Sequence, residues 1–229
     1  MATNERNVVI LGKVGSGKKT LGNQIAGEDI FQHGSALGTR NVDAYYGQCV
    51  RENTIYRIQT VDTEGLQTGY KNPIPDITEK FQEIHLIILV VANGRYTDES
   101  HRSLIRATNS LSPQAKSLCA LVVTHCEGLT EDQLRDIVAE FKDDARTSQV
   151  TASIGKEIFT VGFPNTSKLP HQLKQIYEAD IAEGRETIRQ LVDSCKSSLS
   201  IGNLTEESIP QPISAEAPDR ESRRICSIL

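Results

Sequence analysis

An apolar run, Val8-Val9-Ile10-Leu11, empties directly into Gly12-Lys13-Val14-Gly15-Ser16-Gly17-Lys18, and a helix-compatible segment, Thr20 to Ala26, follows. A continuous apolar run of this kind reads as a strand buried on both faces of a parallel sheet. A strand that ends in a glycine-rich turn and then a helix builds a phosphate cradle. The glycines let the main chain curl so that its N–H groups point inward. The helix start adds its own N–H groups and the positive end of its dipole. Lys18 then reaches the β- and γ-phosphates as a point charge. The spacing G-x-x-x-x-G-K is met at Gly12, Gly17 and Lys18, in the strand-to-helix context that gives the pattern its meaning. The competing reading is a glycine-rich turn with no ligand.

One position departs from the pattern. A Ser or Thr directly after the lysine would place a hydroxyl on Mg²⁺. Lys19 stands there, and Thr20 comes one residue late. A step of one residue turns a helical side chain by about 100°, so Thr20 is a poor substitute. Nucleotide binding is therefore better supported than efficient Mg²⁺-dependent turnover.

Composition narrows the class. The 229 residues suit one α/β domain with additions, and 38% hydrophobic residues suffice for a core. A net charge of −5 argues against a general nucleic-acid binder. There is no run of 18 apolar residues and no apolar region near the N-terminus, so neither a transmembrane helix nor a signal peptide is expected. Cys49, Cys119, Cys126, Cys195 and Cys226 show no C-x-x-C spacing, and the histidines form no ligand cluster. The expectation is a cytoplasmic chain with free thiols and no structural metal.

Along the chain, Glu28 to Arg40 reads as a polar loop able to close over a nucleotide. Asp43–Val50 and Thr54–Val61, separated by Arg51-Glu52-Asn53, read as a hairpin and hence an antiparallel pair in an otherwise parallel sheet. Leu86–Ala92 and Leu118–Val123 are buried strands, and Ile158–Val161 is a last short one. Thr97 is placed to cap a helix reaching about Leu111. Thr130 to Gln133 has capping-box spacing ahead of a helix with Leu134, Ile137, Val138 and Phe141 on one face. From Lys168 to about Ser198 a helical stripe of Leu173, Ile176, Tyr177, Ile181, Ile188, Leu191, Val192 and Cys195 predicts docking on the domain. The division expected is a domain over 6–198 and a disordered tail over 199–229.

The second strand of the hairpin ends in Asp62-Thr63-Glu64-Gly65. D-x-x-G is weak alone, and an ordinary turn is its bland reading. About 45 residues after a phosphate loop it matches the Mg²⁺ and γ-phosphate sensor of G proteins. Asp62 would hold Mg²⁺ through water. The Gly65 N–H would bond the γ-phosphate and lose that bond on hydrolysis. Strand order, phosphate loop and D-x-x-G together give an α/β fold of the P-loop NTPase type.

Gly12 to Lys18 followed by Leu21-Gly22-Asn23-Gln24-Ile25-Ala26-Gly27 resembles the G-K-x-G-x-G-K-S-x-x-G-N-x-I-x-G opening of the GTPases of immunity-associated proteins, the GIMAP or IAN family with its AIG-type G domain. Gly94-Arg95-Tyr96-Thr97-Asp98-Glu99 looks like that family's G-R-[FY]-T-x-E box. Thr124-His125-Cys126-Glu127 looks like its variable base-recognition motif, and Asp62 to Gly65 is similar to its D-T-P-G. The resemblance covers about residues 7 to 195. It implies a Ras-like G domain, with a mostly parallel sheet, helices on both faces and a C-terminal helical extension. It also implies binding of guanine nucleotide, GTP or GDP, with Mg²⁺, and nucleotide-controlled self-association, as a homo-oligomer, on membranes. Thr39 aligns with the family's loop threonine, which would touch Mg²⁺ and the γ-phosphate; an exposed loop threonine is the alternative. Glu127 would accept from the guanine N1–H and exocyclic amine. His125 would stack on the base or serve only as a strand-end polar residue. Asn165, in the last loop, would reach the base or its carbonyl. Lys19, and Glu64 in place of proline, would weaken Mg²⁺ and triphosphate binding. Leu66 stands where Ras-like enzymes keep a water-orienting glutamine, so hydrolysis is expected to be slow; Gln67 is one residue off.

The chain ends Cys226-Ser227-Ile228-Leu229, which fits C-a-a-X with a leucine that points to geranylgeranylation of Cys226; a soluble protein with a coincidental tail is the alternative. One lipid with Arg220, Arg223 and Arg224 upstream, offset by Asp219 and Glu221, would give reversible anchoring to the cytosolic face of a membrane.

Overall fold

In the computed structural model, residues 4–31, 44–63, 77, 80–164 and 170–205 are described. β1 (Asn4–Gly12) is flanked by β3 (Thr54–Asp62) and β5 (Leu86–Ala92), and pairs parallel with both. β2 (Ala44–Arg51) adds antiparallel to β3, so the expected hairpin forms with Glu52 and Asn53 at positive φ in its turn. β6 (Cys119–Thr124) and β7 (Ile158–Thr160) complete the other side in parallel. The order is β2-β3-β1-β5-β6-β7.

Side chains alternate across a strand, and the parity is visible in the core. Val9, Leu11, Ile87, Leu89, Val91, Leu121 and Val123 face one layer of helices. Val8, Ile10, Leu86, Ile88, Val90, Ala120 and Val122 face the other. Two buried faces explain why these strands read as unbroken apolar runs rather than as alternation.

The first layer holds α2 (Asp98–Asn109), α3 (Pro113–Ser117), α4 (Glu131–Asp143) and α5 (Ser148–Ser153). Thr97 caps α2 by accepting from Ser100 N–H, and Thr130 with Gln133 forms a reciprocal capping box on α4. The second layer holds α1 (Lys18–Ala26) and α6 (His171–Ser194). Ile188, Leu191, Val192 and Cys195 of the predicted stripe enter the core, but Ile176 is 63% exposed. Docking is thus a property of the C-terminal half of α6; the half near Ile176 extends the apolar spacing without a surface beneath that residue.

The expected tail starts too early. After α6 the chain forms β8 (Leu199–Ser200), antiparallel to β4 (Glu83–Ile84), and then a 3-10 turn, Ile201–Asn203. Leu204 is buried, and Ser112 donates its hydroxyl to the Asn203 carbonyl at 2.6 Å. The polar composition that suggested a boundary at 199 conceals one apolar anchor, Leu204, and satisfied main-chain bonds. The segment up to Leu204 therefore belongs to the domain.

Candidate functional site

The site is built where β1 stops. In open α/β sheets ligands bind beyond the carboxyl ends of the strands, and the Gly12-to-Lys18 loop lies at that end of the central strand. A Cβ on Gly12 would stand 2.6 Å from the Val90 carbonyl oxygen and 2.7 Å from Ser16 Oγ, so the close passage of the loop over β5 requires glycine. Gly17 is the N-cap of α1 at φ 89°, a left-handed conformation that disfavours a side chain. Ser16 N–H donates back to the Lys13 carbonyl at 3.1 Å and closes the turn. The N–H groups of Val14, Gly15 and Gly17 bond no other main-chain group among the described residues. No acidic residue lies in the first turn of α1 to offset its positive end. Lys18 Nζ arches back to the carbonyls of Gly12 and Lys13, both at 2.7 Å, and so lies across the same loop. This donor set fits a phosphate group.

Asp62 reaches the loop through strand register. It is the Cα partner of Gly12 in the β1–β3 ladder, and the next residue, Thr63, donates its N–H to the Gly12 carbonyl at 3.0 Å. Lys19 and Thr20 both lie in the first turn of α1, half-buried, with Lys19 at the position where a metal-binding hydroxyl would stand. Asp62 is the anionic oxygen donor that the described residues bring to this place, so the fit to Mg²⁺ is thinner than the fit to phosphate. No group of three or more His, Cys, Asp or Glu capable of holding a metal occurs among the described residues.

β6 supplies the far side. Thr124 Oγ1 lies 2.7 Å from the Ser16 carbonyl and 3.1 Å from that of Val91, with its proton shared between them. This threonine pins the phosphate loop to the end of β6, a role not read from the sequence although the residue opens the quoted Thr124–Glu127 motif. His125 follows, exposed and at φ 59°, turned out of the strand. Glu127 Oε1 accepts the Phe163 N–H at 3.1 Å and so holds the exit loop of β7. A Cβ on Gly162 would meet Glu127 N at 2.8 Å, which keeps the two loops in contact. The Cys126 thiol between them is pushed up to about 11, chiefly by burial and then by Glu127, and stays protonated.

The Gly94-to-Glu99 box packs against the phosphate loop. Lys13 Nζ donates to Glu99 Oε2 at 2.6 Å across 86 positions of sequence. Between them a cavity of about 260 Å³ is lined by Ser16, Thr63, Arg95, Tyr96, Ser100 and Leu104, among others. The Ser16 and Thr63 hydroxyls are buried without a hydrogen-bond partner among the described residues. Tyr96 stacks edge-on against Phe141, and burial pushes its phenol up to about 12. Arg146 binds Asp98 at 3.3 Å and Asp144 at 3.4 Å, fastening α2 to the segment after α4.

Gly12, Lys13, Val14, Gly15, Ser16, Gly17, Lys18, Lys19, Thr20 and Asp62 thus converge on one loop, with Thr124 as an unforeseen support. His125 and Glu127 lie on the strand end that the same threonine joins to it. Thr39, Glu64, Gly65, Leu66, Gln67, Asn165 and Cys226 lie outside the described residues.

A phosphate loop after the central strand of a mostly parallel sheet, with Asp62 in register beside it, defines a P-loop G domain. A profile of the AIG1 family matches residues 6–181. The chain belongs to the AIG1 family. It is 27% identical over 137 residues to immune-associated nucleotide-binding protein 10 of Arabidopsis thaliana, across 56% of this chain and 29% of that protein. It is 25% identical over 148 residues to GTPase IMAP family member 8 of Homo sapiens, across 60% of this chain and 22% of that one. The chain thus spans under a third of the length of these curated relatives. Among solved structures, a dimerisation-deficient mutant of Toc33 from Arabidopsis thaliana superposes with a TM-score of 0.60 at 19% identity, over 86% of this chain and 88% of that one. Toc33 in complex with Mg²⁺ and GMPPNP superposes at 0.58 and 18% identity, with the same coverage. These likenesses carry the fold.

Proposed function

We propose that this chain is a guanine-nucleotide-binding switch or scaffold with slow intrinsic hydrolysis of GTP. The observation that carries the reading is the phosphate-shaped donor set at the start of α1, with Lys18 across it and Asp62 beside it. Family membership supports the choice of nucleotide, and so do the structures of Toc33 with GDP and Mg²⁺ and with GMPPNP. On this reading Lys18 and the N-terminus of α1 bind the β- and γ-phosphates. Asp62 would hold Mg²⁺ through water, Thr39 would touch Mg²⁺ and the γ-phosphate, and Gly65 would sense the γ-phosphate. His125 stacks on the base. Glu127 accepts from guanine through Oε2 and a remaining lone pair of Oε1, and its bond to Phe163 N–H fixes the carboxylate plane. Adenine offers no matching pair of donors. Lys19 and Leu66 are the reasons for slow turnover: one occupies a metal ligand's place, and the other cannot orient water.

A lysine-to-alanine change at Lys18 tests the core of this reading: binding of fluorescent GDP should be lost while the melting temperature holds. Lys19→Ser discriminates a second reading, favoured by Lys19 itself, in which the chain is an adaptor that takes no triphosphate. A marked rise in Mg²⁺-dependent affinity supports a weakened switch; no change supports the adaptor. Dimers of Toc33 matter for that protein's GTPase activity, and a nucleotide-dependent homodimer, or a catalytic group from a partner, is the corresponding proposal here. Prenylation of Cys226 would tether the chain to the cytosolic face of a membrane. Cys226→Ser should release it to the soluble fraction; unchanged fractionation would sink the lipid tether.

A further inference from the structure

At the end of the sheet opposite the phosphate loop, Arg6 and Arg51 lie on one face of the sheet, Arg189 of α6 packs near Arg51, and each of the three carries a donor left unfilled among the described residues. Arg6 pairs in register with Tyr56, and Tyr56 with Cys49, so the three side chains share one face of the sheet; Arg51, two residues beyond Cys49, shares it too. That face lies beneath α1 and α6, because Tyr56 and Cys49 pack in the core with Ala26 and Val192. The Tyr56 hydroxyl donates to Asp193 of α6 at 2.8 Å. Arg189 lies four residues before Asp193, on the same side of α6. A Cβ built on Gly27, at the C-terminus of α1, would stand 2.8 Å from Arg189 Nη2 and 4.0 Å from Arg51 Nη1, so the two guanidinium groups converge on that helix end.

Arg6 Nε, Arg51 Nη1 and Arg189 Nε are all buried with no hydrogen-bond partner among the described residues. Arg6 spends Nη1 on the neighbouring Glu5 carbonyl, and Arg51 Nη2 is 3.4 Å from the exposed Glu52 carboxylate. Arg189 makes no hydrogen bond or ion pair among the described residues. Glu28 and Asp193 also border the cluster, but neither pairs with Arg6 or Arg189, and Asp193 is engaged by Tyr56. Unfilled buried donors on a charged group are costly, and like charges side by side add to the cost. The negative end of α1 favours a cation here, yet fills none of these donors. The three side chains are only half-buried, so on turning toward solvent they would present these donors to a compact anion with several acceptor oxygens.

We infer that Arg6, Arg51 and Arg189 form a second anion site, specific for a phosphate monoester and about 20 Å along β1 from the phosphate loop. Guanidinium forks match the oxygens of a phosphate better than a single carboxylate does. A soluble molecule and a lipid headgroup both carry such a phosphate, and the two sources are separable.

The test uses the full chain, made without lipid modification, with Lys18→Ala in the background so that the phosphate loop does not contribute. Soluble inositol trisphosphate is titrated by calorimetry. Co-sedimentation is measured with phosphatidylcholine vesicles carrying phosphatidylinositol monophosphate, and with vesicles matched in charge by phosphatidylserine. Binding is expected, and Arg189→Gln or Arg51→Gln should weaken it about tenfold each. Arg189→Lys, which keeps charge and stem but not the fork, should recover only part, and it guards against a variant that fails to fold. Binding of the soluble probe alone assigns a soluble phosphate. Stronger binding to the monophosphate vesicles than to the soluble probe assigns a headgroup. No binding to either probe, equal binding to phosphatidylserine, or binding indifferent to Arg51 and Arg189 overturns the site.

Discussion

Lys13 Nζ and Glu99 Oε2 meet at 2.6 Å and join the phosphate loop to the first turn of α2. The pair links two sequence motifs that carry no local reason to touch. It also fixes the side of the loop that borders the cavity holding the Ser16 and Thr63 hydroxyls. Both partners are part-exposed, at 28% and 42% of their side chains, so the bond is screened by solvent. A double-mutant cycle with Lys13→Ala and Glu99→Ala should yield a coupling of about 0.2–1 kcal/mol, in the range of exposed pairs. A coupling indistinguishable from zero in low salt would mean that the pair does not hold the loop.

Close approach at Gly12 is a sharper constraint than backbone conformation at the loop's tip. Gly12→Ala would drive a methyl group into the Val90 carbonyl, an atom of a central strand that cannot retreat. It should destabilise the fold by about 1–3 kcal/mol, as overpacking does. Gly15→Ala meets no atom within 4 Å and suffers only from its positive φ of 78°. Its cost should be smaller, about 1 kcal/mol. Urea denaturation of the two variants gives the order; a reversed order would contradict the packing at Gly12.

Thr124 holds the loop from β6 through a hydroxyl shared by the Ser16 and Val91 carbonyls. Thr124→Val keeps the shape and removes the donor, leaving buried acceptors short of a partner. The expected loss is about 1–3 kcal/mol of stability, together with weaker phosphate binding as the loop loosens. Thr124→Ser retains the hydroxyl and should lie close to the parent in both thermal denaturation and ligand titration. A valine variant as stable as the parent would remove Thr124 from the support of the loop.

His85 gives the domain a dependence on acidity. Its imidazole is buried, and Nδ1 accepts the Asn7 N–H at 3.2 Å. Burial lowers its pKa from the ordinary value, with Glu83 and Glu5 opposing and Arg6 reinforcing the shift. Because the folded value is depressed, the unfolded chain binds the proton more readily. The contribution of neutral His85 is whole above the unfolded value, near pH 6.5, and is lost as pH falls through the folded one. Urea midpoints should therefore drop between about pH 7.5 and pH 5.5, and His85→Gln should flatten that slope. The same drop in the glutamine variant would assign it to other groups.

Much of this architecture is legible in the sequence because its signals are local. The Gly12-to-Lys18 spacing, the unbroken apolar runs of β1, β5 and β6, and the caps at Thr97 and Thr130 each state their own structure. What escapes is non-local or too short. β8 and β4 are two residues each, and their pairing is closed by Leu204, one apolar residue in a polar stretch. Ile176 continues the helical stripe of α6 in spacing yet lies beyond the surface that Ile188 and Val192 cover. At the site, the phosphate loop could be read directly, whereas the Lys13–Glu99 and Thr124–Ser16 bonds join residues 86 and 108 positions apart and exist only once the sheet order is known. The engagement of Glu127 by Phe163 depends in the same way on β6 and β7 being neighbours.

The most direct test of the central claim is a calorimetric titration of the full chain, stripped of nucleotide, with GDP, a non-hydrolysable GTP analogue and ATP, each with and without Mg²⁺. The account predicts that both guanine nucleotides bind, that ATP does not, and that Mg²⁺ strengthens binding less than a hydroxyl at position 19 would allow. Absence of binding by every nucleotide, or equal binding of ATP and GTP analogue, would contradict it.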